Sequence, residues 1–105
     1  MNLDELTIQL EKISKHYATN YDINRSNEWF LLKLQEEMGE LIQSYLMKIK
    51  QARTKGKTES ELNEDFANEL ADVLAHTLLL AHHNNINISQ AIEIKWLSWI
   101  NKGNL

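Results

Sequence analysis

Asn68-Glu69-Leu70-Ala71-Asp72-Val73-Leu74-Ala75-His76-Thr77-Leu78-Leu79-Leu80 is the stretch that decides the fold of this 105-residue chain. No proline or glycine interrupts it, and its aliphatic residues fall on more than one helical face. A helix that is apolar most of the way round is buried, so the segment predicts an interior helix. Glu69 stands three residues after Phe66 and four before Val73, inside the stripe formed by Leu62, Phe66, Val73 and Leu80. A buried carboxylate without a partner costs several kcal/mol, so this acid needs something to offset it. An upstream run matches the pattern: Glu37-Met38-Gly39-Glu40-Leu41-Ile42 and Glu69-Leu70-Ala71-Asp72-Val73-Leu74 both read acid, two small or apolar residues, acid, two aliphatics.

Outward from these two runs, helical periodicity extends over nearly the whole sequence, which has no proline and three glycines. Four helices are expected. The first spans about Leu3 to Asn20, with Asn2 and Glu5 in a capping-box arrangement. The second starts near Ser26 or Asn27 and reaches about Ala52. The third starts at Thr58, with Glu61 at the box position, and reaches about His83. The fourth follows Asn87, with Gln90 at the box position, and ends near Asn101, where Gly103 suits a stop. The short joins place neighbours antiparallel. The fold class expected is therefore all-α: one domain over residues 1–105, built as a four-helix bundle. The apolar circumference exceeds what a chain this small can hide, so a homodimer or homotetramer should complete it, with Trp96, Leu97, Trp99 and Ile100 in the interface.

Composition removes several classes of function. Hydrophobic residues make up 43% of the chain and charged residues 25%, an ordinary globular balance. The lack of cysteine excludes disulfides, zinc–thiolate sites and thiol nucleophiles. A net charge of −4 speaks against nucleic acid as a partner. The run Val73 to Ala81 is too short to span a bilayer, and residues 1–10 lack the apolar core of a secretory signal. The expectation is a cytoplasmic protein with no membrane partner.

The acids carry the chemistry. Residues three or four apart on a helix are neighbours, so Glu36 and Glu37 each lie beside Glu40, and Glu69 lies beside Asp72. Taken singly, each run reads best as a solvated helix face, since glutamate is a common helix former. Taken together, two doublets on the two most apolar helices, facing across a hairpin, would aim four oxygen donors at one point. Hard divalent cations take such donors, and magnesium, with manganese as a substitute, fits a chain without thiolates.

Glu36-Glu37-x-x-Glu40, then 28 residues, then Glu69-x-x-Asp72 resembles the signature of the MazG-like nucleotide pyrophosphohydrolases. Trp29 to Leu41 is similar to that family's first metal helix, Asn68 to Leu74 to its second, and Ile86 to Lys95 to the entry of its last helix. The resemblance implies a MazG-like bundle that cleaves a nucleoside triphosphate to the monophosphate and pyrophosphate. Carried over by position, it implies Glu37, Glu40, Glu69 and Asp72 as metal ligands, with Glu36 holding the attacking water or making a further metal contact. The asparagine and basic residues that many relatives carry a turn after the final lysine stand here only at Asn101 and Lys102, beyond Trp96-Leu97-Ser98-Trp99.

In the reaction the resemblance implies, Glu36 or Glu37 would accept the proton of the attacking water. A triphosphate also calls for fixed positive charge. Lys48, Lys50, Arg53, Lys55 and Lys57 place five of eleven basic residues within ten positions. Arg53 and Lys55 from that segment, with Lys33 and Lys95, are the candidate phosphate contacts; a solvated inter-helix loop explains the same segment equally well. Trp29, Phe30, Tyr45, Trp96 and Trp99 are candidates for a base slot, although helical aromatics mostly fill cores and interfaces. His76, one turn after Asp72, is a candidate ligand or water contact but reads best as a buried structural histidine, and His82 and His83 read as helix-end residues. A di-iron carboxylate protein would need a glutamate three residues before a histidine, and none of the four histidines has one. The remaining alternative is a non-enzymatic helical interaction or phosphotransfer module, which leaves the paired acids without a purpose.

Overall fold

The computed structural model describes residues 1–103, and every regular element among them is helical. Helix α1 (Leu3–Asn20), α2 (Asn27–Lys48) and α3 (Glu59–His83) are followed by α4 (Ile88–Ile92), which continues through a π-helical stretch (Glu93–Leu97) into α5 (Ser98–Asn101). The expected all-α architecture of four helical segments holds, with the fourth carrying a π-helical middle.

The starts are set by side-chain caps. Asn2 Oδ1 accepts from the Glu5 amide at 2.8 Å, and Ser26 Oγ from the Trp29 amide at 3.1 Å. Thr58 and Glu61 make the full reciprocal box, at 3.2 and 2.9 Å, and Asn87 caps α4 through the Gln90 amide. The first three helices end alike. Asp22, Lys50 and Asn85 adopt positive φ, and the next residue in each case bonds back five residues: Ile23 to Ala18, Gln51 to Leu46, Ile86 to Ala81. This is the Schellman arrangement, made here by Asp, Lys and Asn in place of the usual glycine. It also corrects the expected end of α2: Lys50 in the left-handed region stops the helix at Lys48, four residues short of Ala52.

Helices α2 and α3 form the principal antiparallel pair, and α1 packs chiefly on α3. Their shared core holds Phe30, Met47, Leu62, Leu78 and Leu79, with Phe30 and Leu62 completely enclosed. Burial on the long helices is less complete than their periodicity predicts. Leu31, Leu32 and Ile42 on α2 and Leu70 and Leu74 on α3 are at least half exposed. The C-terminal segment from α4 to α5 packs mainly along itself and leaves Trp96 and Trp99 exposed. The radius of gyration, 16.8 Å, is well above the roughly 13 Å of a compact chain of this length. An interior helix by sequence is thus only partly interior in one protomer.

Candidate metal centre and adjoining cavity

The two acidic runs meet on the facing sides of α2 and α3. Carboxylate oxygens of Glu37, Glu40 and Glu69 lie within 4.8 Å of one another. Glu37 is buried, Glu69 half-buried and Glu40 exposed. Asp72, one turn beyond Glu69, stands outside this trio but close enough for its charge to act on both Glu37 and Glu69. Burial first, then Glu40 and Asp72, pushes the Glu37 carboxyl up to about 7. The same causes in the same order raise Glu69. Among the described residues, Lys33 is the one base that eases Glu37, and it is hydrogen-bonded to Glu36 at 2.9 Å.

Two buried carboxylate oxygens, Glu37 Oε2 and Glu69 Oε2, have no hydrogen-bond partner. Unsatisfied buried oxygens on raised acids, converging from two helices, are a donor set that a hard divalent cation fits. The residues present are chemically suited to such an ion.

A cavity of about 350 Å³ opens beside the cluster, a wedge bordered by α1, α2 and α3. Glu37 and Asp72 form its acidic edge. Tyr17 and Trp29 supply aromatic surface, and Lys33 and His76 supply polar groups. Burial, followed by the charge of Lys33, lowers the His76 pKa; Nε2 lies 3.8 Å from Glu37 Oε1 and Nδ1 is buried without a partner. His76 is thus a cavity wall as well as a packed side chain.

The other sequence candidates are dispersed. Glu36 is exposed at the rim of the cluster and is held by Lys33. Arg53 and Lys55 are exposed in the α2–α3 connection. From Glu59 at the start of α3 to Glu69 is ten residues, or about 15 Å at 1.5 Å per residue, so that connection lies well along the hairpin from the acids. Lys50 and Lys57 of the same basic segment pair with Glu59 and Asp65. Lys95 is exposed in the π-helical stretch, on a segment with little packing against α1–α3. Among the aromatics expected to form a base slot, Trp29 alone lines the cavity. Phe30 is enclosed, Tyr45 packs against Phe66 at 5.5 Å, and Trp96 and Trp99 face outward.

Sequence reasoning placed α1 correctly but gave it no part in the site. Tyr17, Ile13 and Leu10 form one wall of the cavity, and Glu11 and Ser14 on the same helix are buried polar residues. One signal was present: Thr7, Glu11, Ser14 and Ala18 form a stripe of helical spacing in which the charged member is the odd one.

The family model for phosphoribosyl-ATP pyrophosphohydrolase matches residues 3–94, which includes both acidic runs and the α1 wall. The chain belongs to this family. Searches of the curated proteins and of the solved structures gave no match. The phosphoribosyl-ATP pyrophosphohydrolase family lies within the MazG-like all-α nucleoside triphosphate pyrophosphatase superfamily, so the MazG-like resemblance is borne out. Membership supports pyrophosphohydrolase activity on a nucleotide-like substrate, in a family that is generally metal-dependent. No described helix is long and apolar enough to cross a membrane.

Proposed function

We propose that this protein is a magnesium-dependent pyrophosphohydrolase that converts a nucleoside triphosphate, ribo or deoxyribo, to the monophosphate and pyrophosphate, a reaction that serves to clear the nucleotide pool. The observation that carries the reading is the convergence of Glu37, Glu40 and Glu69 with two buried oxygens left unpartnered. Glu37, Glu40, Glu69 and Asp72 would hold the cation, and manganese would substitute for magnesium. When bound, such an ion supplies positive charge against the phosphate oxygens, which the acids themselves would otherwise repel.

The protein groups divide the remaining work. Glu36 and Glu37 are the candidate acceptors of the proton released by a water attacking the α-phosphorus. Lys33 reaches the cavity edge and, on leaving Glu36, would donate to a phosphate oxygen. Arg53, Lys55 and Lys95 remain as phosphate contacts only if chain movement or a second copy brings them to the acids. Tyr17 and Trp29 present aromatic surface for a nucleobase, and the cavity falls within the size range of small-molecule sites. The exposed apolar residues of α2, α3 and the C-terminal segment support a homodimer or homotetramer, and a cytoplasmic setting belongs to the same proposal.

The test is a substrate panel read by pyrophosphate release in millimolar magnesium. It spans phosphoribosyl-ATP, the ribonucleoside triphosphates and the deoxyribonucleoside triphosphates. Turnover of at least one, dependent on a divalent cation, is expected. Phosphoribosyl-ATP alone being cleaved would narrow the substrate to that of the family name. Release of orthophosphate in place of pyrophosphate would overturn attack at the α-phosphorus.

A further inference from the structure

A second buried carboxylate lies outside the acidic cluster. Glu11, near the middle of α1, has an 11% exposed side chain and accepts a hydrogen bond from the Arg25 guanidinium. Arg25 Nη1 also donates to Ser14 Oγ at 3.1 Å. His83 Nε2 lies 3.0 Å and His82 Nε2 3.3 Å from Glu11 Oε2. The ring of His83 stacks on Phe30 at 4.0 Å between centroids, and the Arg25 guanidinium stands 5.3 Å from the centroid of the same phenyl ring. One carboxylate therefore joins α1, the α1–α2 connection and the last turn of α3, with Phe30 of α2 as the shared platform.

The placement of this hub gives it a consequence for the cavity. Helix α1 packs chiefly on α3, and the cavity occupies the wedge between α1 and α2. Ser14 belongs to both features: it takes a hydrogen bond from Arg25 and lines the cavity. Leu10, Ile13 and Tyr17, within one turn of it, make the rest of the α1 wall. The acids, by contrast, are carried by α2 and α3, which hold each other directly.

We infer that Glu11 is a positioning residue for substrate: through Arg25, Ser14 and the two histidines its carboxylate fixes α1, and with it the Tyr17 wall against which the nucleoside portion lies. The inference rests on the pyrophosphohydrolase reading for its substrate. It separates two effects that a general loss of structure would not separate. Loosening α1 widens the wedge and weakens substrate binding, while the acids stay where the α2–α3 pair holds them.

The experiment uses the full chain with Glu11→Gln and Arg25→Lys. Glutamine keeps an acceptor for Arg25 but removes the charge; lysine keeps the charge but loses the planar guanidinium whose Nη1 donates to both Glu11 and Ser14. KM and kcat are measured by pyrophosphate release on the best substrate of the panel, and amide hydrogen exchange is followed over residues 3–20, 27–48 and 59–83. In Glu11→Gln, KM should rise about tenfold with kcat within about twofold of wild type. Exchange should accelerate in residues 3–20 and stay slow in the other two helices. Arg25→Lys should move the same quantities in the same direction by less, and it carries the test should Glu11→Gln not fold. An unchanged KM, or a fall in kcat at constant KM as expected of a smaller folded fraction, would overturn the inference. Unchanged protection of residues 3–20 would overturn the anchoring whichever way turnover falls. Wild-type protein that released no pyrophosphate would instead overturn the functional reading on which the substrate role depends.

Discussion

Glu37 and Glu11 are both nearly buried carboxylates on helices, yet their surroundings treat them in opposite ways. Around Glu37, burial raises the carboxyl and the charges of Glu40 and Asp72 add to it, so it reaches about 7. Around Glu11, burial also pushes the group up, but hydrogen bonds and charge from Arg25 and His83 outweigh it and hold the carboxyl below its ordinary range. One site neutralises itself with residues of the chain. The other has only the help of Lys33, which is bonded to Glu36, and keeps two oxygens unpaired. Burial of an acid alone says little about function; the sign of the charges facing it separates a structural clamp from a site awaiting a ligand.

The contrast breaks most visibly in turnover. Glu69→Gln keeps the shape of the side chain and removes one charge from the cluster. It should lower pyrophosphate release on the order of a thousandfold, because it removes a group that would hold the cation in the transition state. In chelator the same variant should be at least as stable as wild type, since it relieves repulsion. Glu59→Gln, on the exposed first turn of α3, is the control and should leave turnover unchanged. Full activity in Glu69→Gln would remove the cluster from the mechanism.

A smaller effect is expected in stability. Magnesium at a hundred times its dissociation constant should stabilise the wild-type protein by about 2.7 kcal/mol. For a chain of this size that corresponds to roughly 10 °C in melting temperature. Glu37→Gln should lose most of the shift, whereas Glu11→Gln should keep it. A melting curve that is the same in chelator and in millimolar magnesium would count against the ion site.

The smallest signal, and the sharpest for the comparison, is in pH. Glu37 holds its proton more tightly folded than unfolded, where the value is near 4.5. Its contribution to the cation-free protein is therefore greatest below about 4.5, declines as pH rises towards about 7, and is level above. Glu11 has the opposite sign: its stabilisation is present above about 4.5 and is lost as pH falls through the lower folded value. His76, lowered by burial, acts against Glu37 around its own range, so the variants are needed to isolate each group. Melts in chelator from pH 3 to 8 should show Glu37→Gln flattening the decline between pH 5 and 7 relative to wild type, and Glu11→Gln flattening the acid limb. Identical pH profiles for the two variants would abolish the distinction.

What the sequence determined by itself was local and periodic. Side-chain caps at Asn2, Ser26, Thr58 and Asn87, proline-free periodicity and the spacing of the acids depend on residues within a turn or two of each other, so the helices, their starts and the pairing of Glu37 with Glu40 were legible in the letters. The end of α2 was not, because a lysine took the left-handed position that glycine usually signals. Tertiary structure decided the rest. It brought Glu69 across to Glu37 and Glu40 and set Asp72 to one side. It also drew Arg25 and His83 onto Glu11 from 14 and 72 residues away, and left the basic loop and Lys95 apart from the acids in the protomer. Those relations depend on how α1, α2, α3 and the C-terminal segment pack on one another, which is set by side-chain contacts between helices that no spacing within one helix encodes.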